Sequence, residues 1–132
     1  MSDSLTLYKL MILFMLDKVD FPLSTNQISE FILEKEYTNY FTIQQAINEL
    51  AESSLISTES MRGATYYRTT REGRDTLSYF GDRIPQPIID DIVAYFNEKK
   101  YQLKNQISVL SDFALQLSEE YSDYFTFDYL EV

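Results

Sequence analysis

Two groups of side chains in this sequence have the chemistry to meet a nucleic acid. Gln44, Gln45 and Asn48 are spaced so that their amides fall on one side of a helix, and such amides pair bidentately with the adenine edge. Arg62, Arg68, Arg71, Arg74 and Arg83 fall within 22 residues, and guanidinium groups neutralise phosphates. Five such contacts would give a log–log salt slope of roughly −4 to −5. Glu59, Glu72, Asp75 and Asp82 are interleaved with these arginines. The competing reading for each arginine is therefore a surface ion pair contributing about 0–1 kcal/mol. For the amides the competing reading is a solvated helix face. The amide-bearing stretch has no Lys or Arg and ends on Glu49 and Glu52, which repel phosphates.

The elements that would position these groups follow from periodicity. Ile43, Ala46, Ile47 and Leu50 repeat with helical spacing and predict a helix over 42–54 with Thr42 as N-cap. Residues 55–61 read as a strand, Arg62-Gly63-Ala64 as a tight turn and 65–70 as the returning strand. Ile56, Thr58 and Ser60 are assigned to one side of the first strand and Ser57, Glu59 and Met61 to the other. Upstream, Leu5 to Lys18 predicts a mostly buried helix, capped by Asp3 or Ser4, with Met11 and Met15 filling core gaps. Pro22 breaks the chain. Ser24 and Gln27 form a capping box for a second helix with Ile28, Phe31 and Ile32 inward, ended by Glu34-Lys35-Glu36. Tyr37 to Phe41 is the turn into the third helix. Three helices followed by a strand, a turn and a strand predict a winged helix-turn-helix. The recognition helix is 42–54 and the wing 56–70. The predicted DNA-binding residues are Thr42, Gln44, Gln45, Asn48, Arg62, Arg68, Arg71 and Arg74.

Beyond the wing, Thr70 predicts the N-cap of a helix whose apolar side carries Leu77, Tyr79 and Phe80 and which Gly81 ends. Arg83-Ile84-Pro85-Gln86-Pro87 is a stiff break, dividing the chain into a winged-helix domain, 1–83, and an extension, 84–132. Pro87 opens a long helix to about Gln106. Its stripe predicts dimerisation through Ile88, Ile92, Phe96 and Leu103, against the alternative that it packs on the chain's own core. Residues 108–132 fit a helical period through Leu110, Ala114, Leu117 and Tyr121. They also fit two strands around Ser118 to Asp123, and the aromatic run Tyr124 to Tyr129 favours a short β-hairpin. The predicted fold class is α+β, mainly α: a winged helix-turn-helix, a long helix and a C-terminal hairpin.

Composition removes most catalytic chemistry. The chain has 132 residues with no Cys and no His, which excludes disulfides, Cys or His metal sites and His-based triads. Its three glycines, Gly63, Gly73 and Gly81, are too scattered for a phosphate loop. Asp90 and Asp91 are consecutive on a helix and so do not face each other. The expectation is a protein that is not an enzyme, without cofactor or metal. The net charge is −10, divided as −4 over residues 1–83 and −6 over 84–132. Such acidity opposes non-specific nucleic-acid binding and contact with anionic membranes. The apolar run Leu5 to Leu16 is too short to span a bilayer and lacks the flanks of a signal peptide, so a cytoplasmic location is expected.

The segment Tyr66-Tyr67-Arg68-Thr69-Thr70-Arg71-Glu72-Gly73 after a helix, strand and turn resembles the MarR and PadR classes of winged-helix regulator. In those classes a Thr-x-x-Gly segment closes the wing. The chain is also similar to a family of small bacterial winged-helix proteins known only as a domain of unknown function. That similarity runs through Pro22-Leu23-Ser24-Thr25-Asn26-Gln27-Ile28, Asn39 to Gln45, Thr70 to Phe80 and Arg83-Ile84-Pro85. The resemblance covers roughly residues 5–107 and implies a DNA-binding transcriptional regulator, dimeric through the helix after the wing. Members look longer, with further strands and a helix. A winged-helix adaptor that binds protein rather than DNA is the alternative, and the low basicity of helix 42–54 favours it.

Overall fold

The computed structural model describes residues 2–99 and 103. Among them the protein is mainly α, with a small three-stranded antiparallel sheet. Helix α1 spans Ser2–Lys18, strand β1 Leu23–Ser24, α2 Thr25–Glu34 and α3 Tyr40–Glu52. Strands β2 and β3 cover Ile56–Met61 and Ala64–Thr69, followed by α4, Arg71–Phe80, and a 3-10 turn, Gly81–Arg83. A fifth helix, α5, covers 86–99. The chain divides into two compact units, Met1–Val93 and Ala94–Val132. The C-terminal hairpin expected over 108–132 lies outside the described residues, as does the end of the long helix. Among the described residues no helix is long and apolar enough to cross a membrane.

The core of the first unit is built on α1, which packs against α3, α4 and β3. Met11, Ile12 and Met15 are fully buried, and both methionines fill the core as expected. Each fully buried aliphatic side chain contributes roughly 1.5–3 kcal/mol. The helix begins at Ser2, so Asp3 and Ser4 lie inside its first turn rather than capping it. The second helix starts as its sequence predicts. Ser24 Oγ accepts from Gln27 N at 3.1 Å, and Ser24 N donates to Gln27 Oε1 at 2.9 Å.

Helix α3 begins earlier than its apolar period suggested. Asn39, in extended geometry, is the N-cap, and its Oδ1 accepts from Thr42 N at 2.8 Å. Thr42 is thus the third helical residue, because the stronger capping side chain stands three positions upstream. Phe41, expected in the turn, lies inside the helix.

Both α2 and α3 end in left-handed residues that are not glycine. Glu36 has φ 58° and Ser54 φ 62°. Tyr37 N donates to Ile32 O at 3.2 Å and Glu36 N to Leu33 O at 3.0 Å; Leu55 N donates to Leu50 O at 2.9 Å and Ser54 N to Ala51 O at 3.1 Å. These are paired Schellman closures, and they satisfy carbonyls the helix ends would leave bare.

The sheet has the order β1-β3-β2. Leu23 pairs with Tyr67 and Ser24 with Tyr66, so the segment after Pro22 is a short strand as well as a break. Two residues carry no readable period, which is why it is silent in the sequence. The hairpin turn has two residues, Arg62 (φ 52°) and Gly63 (φ 81°), and Ala64 opens β3 opposite Met61. Two left-handed residues make a type I′ turn, whose twist matches the strands. Of β2 only Ile56 is buried, so alternation sorts its side chains without burying a face.

The base of the hairpin is fastened to the helices on either side. Thr70 N donates to Leu55 O at 3.1 Å. Thr70 Oγ1 donates to Ser54 O at 2.7 Å and accepts from Gly73 N at 3.0 Å, which also caps α4. Gly73 lies so close that a Cβ there would collide with the Leu55 carbonyl oxygen and Thr69 Oγ1. The Thr-x-x-Gly spacing therefore has a packing reason.

Two details of α4 and α5 differ from expectation. Tyr79 and Phe80 are exposed, at 81% and 43%, because Tyr79 falls on the helix side opposite the core. Gly81 caps the end of α4 as expected, though in right-handed geometry, and the chain runs on into the 3-10 turn. The Pro85 carbonyl accepts from Ile88 N and Ile89 N at 3.0 and 3.2 Å, so α5 starts one residue before Pro87.

Gly73→Ala should destabilise the fold by about 1–3 kcal/mol, the range for overpacking against backbone that cannot yield. Urea unfolding followed by circular dichroism would show the loss as a lowered midpoint with an unchanged slope.

Candidate functional site

Helix α3 buries Ile43, Ala46, Ile47 and Leu50 on one side. The side opposite is fixed by the same period. Phe41, Gln45, Asn48 and Glu52 form a single outward ridge, and all four are exposed. Phe41 is 79% exposed. Gln44 and Glu49 flank the ridge, half-buried.

Hydrogen bonds tie the ridge to its flanks. Gln44 Nε2 donates to Asn48 Oδ1 at 3.3 Å, and Gln45 Nε2 donates to Glu49 Oε2 at 3.3 Å. Glu49 is also ion-paired with Lys9 of α1. The hydrogen bond from Lys9 holds the Glu49 carboxyl below its ordinary range, partial desolvation opposes it, and Gln45 adds to the lowering.

The sequence-predicted residues thus divide. Gln45 and Asn48 stand on the ridge, and Gln44 lies beside them. Thr42 is half-buried in the first turn. The arginines do not form one patch. Arg62 is exposed at the hairpin tip, whereas Arg71 and Arg74 are exposed on the first turn of α4, at the hairpin's base. Tip and base are separated by roughly 20 Å of strand. Arg68 Nε is paired with Glu59 Oε2 at 3.1 Å across the two strands. Arg83 lies over the Phe80 ring, 4.9 Å from its centroid. Of the four residues expected to meet a second copy, Ile92, Phe96 and Leu103 are buried within the single chain and Ile88 is half-buried.

Sequence reasoning missed Phe41. Its place on the ridge follows from helical spacing once Asn39 is recognised as the cap.

Tyr37 holds the junction between α2 and α3. Its ring packs on Phe31 at 6.0 Å between centroids. Its carbonyl accepts from Tyr8 Oη at 2.6 Å, and its own hydroxyl donates to Asp91 Oδ2 at 2.6 Å. The junction is thereby bonded to α1 on one side and to α5 on the other.

No curated protein and no solved structure matches the chain. The family model described as Domain of unknown function (DUF4364) matches residues 8–127. The chain belongs to that family.

Burial, then the hydrogen bond to Asp91 and its negative charge, push the Tyr37 phenol up to about 12. The raised value means the neutral phenol is favoured by the fold. Its contribution is complete below the ordinary tyrosine value near 10 and is lost as pH rises through about 12. An ultraviolet titration of phenolate formation should therefore lose a step near pH 12 in Tyr37→Phe. Asp91→Ala should move that step toward lower pH without abolishing it.

Proposed function

We propose that this protein is a DNA-binding transcriptional regulator of the winged-helix type, with α3 as recognition helix and the β2–β3 hairpin as wing. The observation that carries the reading is the presentation of α3. Its inner face is locked into the core, while an unbroken ridge through Phe41, Gln45, Asn48 and Glu52 stands exposed along its length. The strand order β1-β3-β2, with a short strand between the first two helices pairing with the hairpin, supports the winged-helix part of this reading.

The cations add support. Arg71 and Arg74 occupy the first turn of α4, where the helix dipole disfavours positive charge by roughly 0.3–1 kcal/mol. Placement against the dipole is poor for stability and good for an incoming phosphate. Arg62 at the hairpin tip suits the same role. Against these stands the net charge of −10, so affinity rests on few phosphate contacts, with a log–log salt slope of roughly −3.

A second reading, a protein-docking module, is favoured by the exposed rings of Phe41 and Tyr79, at 79% and 81%. It predicts no duplex binding at any salt.

Fluorescence anisotropy with a random-sequence duplex separates the two. Binding at low salt that weakens as salt rises is the expected outcome. Replacing Arg62, Arg71 and Arg74 together with Ala should reduce the salt slope by about 3. A slope unmoved by those replacements would remove the hairpin and α4 from the interface.

A further inference from the structure

The ridge of α3 carries a base preference as well as a shape. We propose that it reads A·T pairs, with Phe41 against a thymine methyl and the Gln45 and Asn48 amides on adenine edges. This rests on the DNA-binding reading above and deepens it.

The chemistry on the ridge is one-sided. The commonest specific contact to guanine is a bidentate Arg or Lys, and α3 contains neither. Glutamine and asparagine match adenine, offering a donor to N7 and an acceptor to the N6 amino group, and an apolar side chain matches the thymine methyl. Cytosine would need a carboxylate. Glu49 is already engaged by Lys9 and Gln45, and Glu52 is the last residue of the helix. Helices of this class contact bases with their N-terminal residues; Phe41 and Gln45 lie in the first half of α3, and Asn48 follows about one turn beyond Gln45. From Phe41 to Asn48 the helix rises about 10 Å, close to three base-pair steps of about 3.4 Å.

The flanking bonds also set the amides. A carboxylate only accepts, so Glu49, held by Lys9, faces the amino end of Gln45. One Nε2 hydrogen is then committed to Glu49, leaving the second for adenine N7 and Oε1 for the N6 amino group. Asn48 Oδ1 accepts from Gln44 on one lone pair, and its second lone pair and Nδ2 remain for a base. Gln44 and Glu49 are thus positioning residues, and the two ridge amides reach the groove with acceptor and donor both available.

The test uses the full chain. Duplexes selected from a random pool should share a core of A·T pairs. Replacing the core thymines with deoxyuracil should weaken binding roughly fourfold, the value of one buried methyl group. Phe41→Ala should be insensitive to that replacement. Gln45→Ala should lower the preference for the A·T core over a G·C core by roughly tenfold, the order expected for one bidentate pair. Both residues are exposed, so the variants should keep their fold, which circular dichroism would check. Duplex binding with a G·C core, without any core, or with equal affinity for thymine and deoxyuracil would overturn this inference and leave the DNA-binding reading standing. Absence of duplex binding even at low salt would overturn both.

Discussion

Four elements end or begin within bonding distance of one threonine hydroxyl and one carbonyl. Helix α3 closes at Ser54, β2 leaves just beyond Leu55, β3 arrives at Thr69, and α4 starts after Thr70. Thr70 Oγ1 donates to the Ser54 carbonyl and accepts from Gly73 N, while the Leu55 carbonyl accepts from Thr70 N. Each group satisfies a backbone atom that an element terminus would otherwise leave unpaired, and such atoms are expensive to bury bare. The close approach of Gly73 is what lets the two segments meet. Without it the end of α3 and the start of α4 would be held apart by a methyl group against a peptide oxygen. The orientation of α3, and with it the direction of its ridge, depends on this junction at one end and on Tyr37 at the other.

The same junction divides the chemistry. Amides and an exposed ring lie along α3, cations lie at the base and tip of the hairpin, and carboxylates are scattered through both. A chain so acidic gains nothing from long-range attraction to a polyanion. Whatever α3 meets, local complementarity must do most of the work. The pairing of Arg68 with Glu59 shows how readily a guanidinium in this composition is used internally.

Much of this fold was legible in the sequence. The apolar periods of α1, α2 and α3, the Ser24–Gln27 box and the Thr70 cap are local signals, and local bonding fulfils them. What escaped was non-local or too short for a period. β1 exists because Tyr66 and Tyr67 offer a strand edge to Leu23 and Ser24. The left-handed closures at Glu36 and Ser54 lack the glycine that would have advertised them. Gln44, Gln45 and Asn48 could be placed on one side of a helix from spacing alone. That Phe41 heads the ridge could not, since it required knowing that Asn39 rather than Thr42 caps the helix. Five arginines close in sequence were separated by the hairpin itself, because a strand puts far more distance between neighbours than a helix does. The apolar stripe of α5 was read either as a dimerisation surface or as packing on the chain's own core, and spacing alone did not separate the two; Ile92, Phe96 and Leu103 are buried.

The hairpin has a further property. Its base is fixed by Leu55 and Thr70, its only buried β2 side chain is Ile56 beside that base, and its tip is a self-contained two-residue turn. Residues 57–62 therefore carry almost no obligation to the core. Lengthening or shortening the arms by matched pairs would change how far the tip projects while leaving the helices in place. Reach is thus a property of this hairpin that can change on its own, and the junction at Thr70 and Gly73 is the part that must stay still for it to do so.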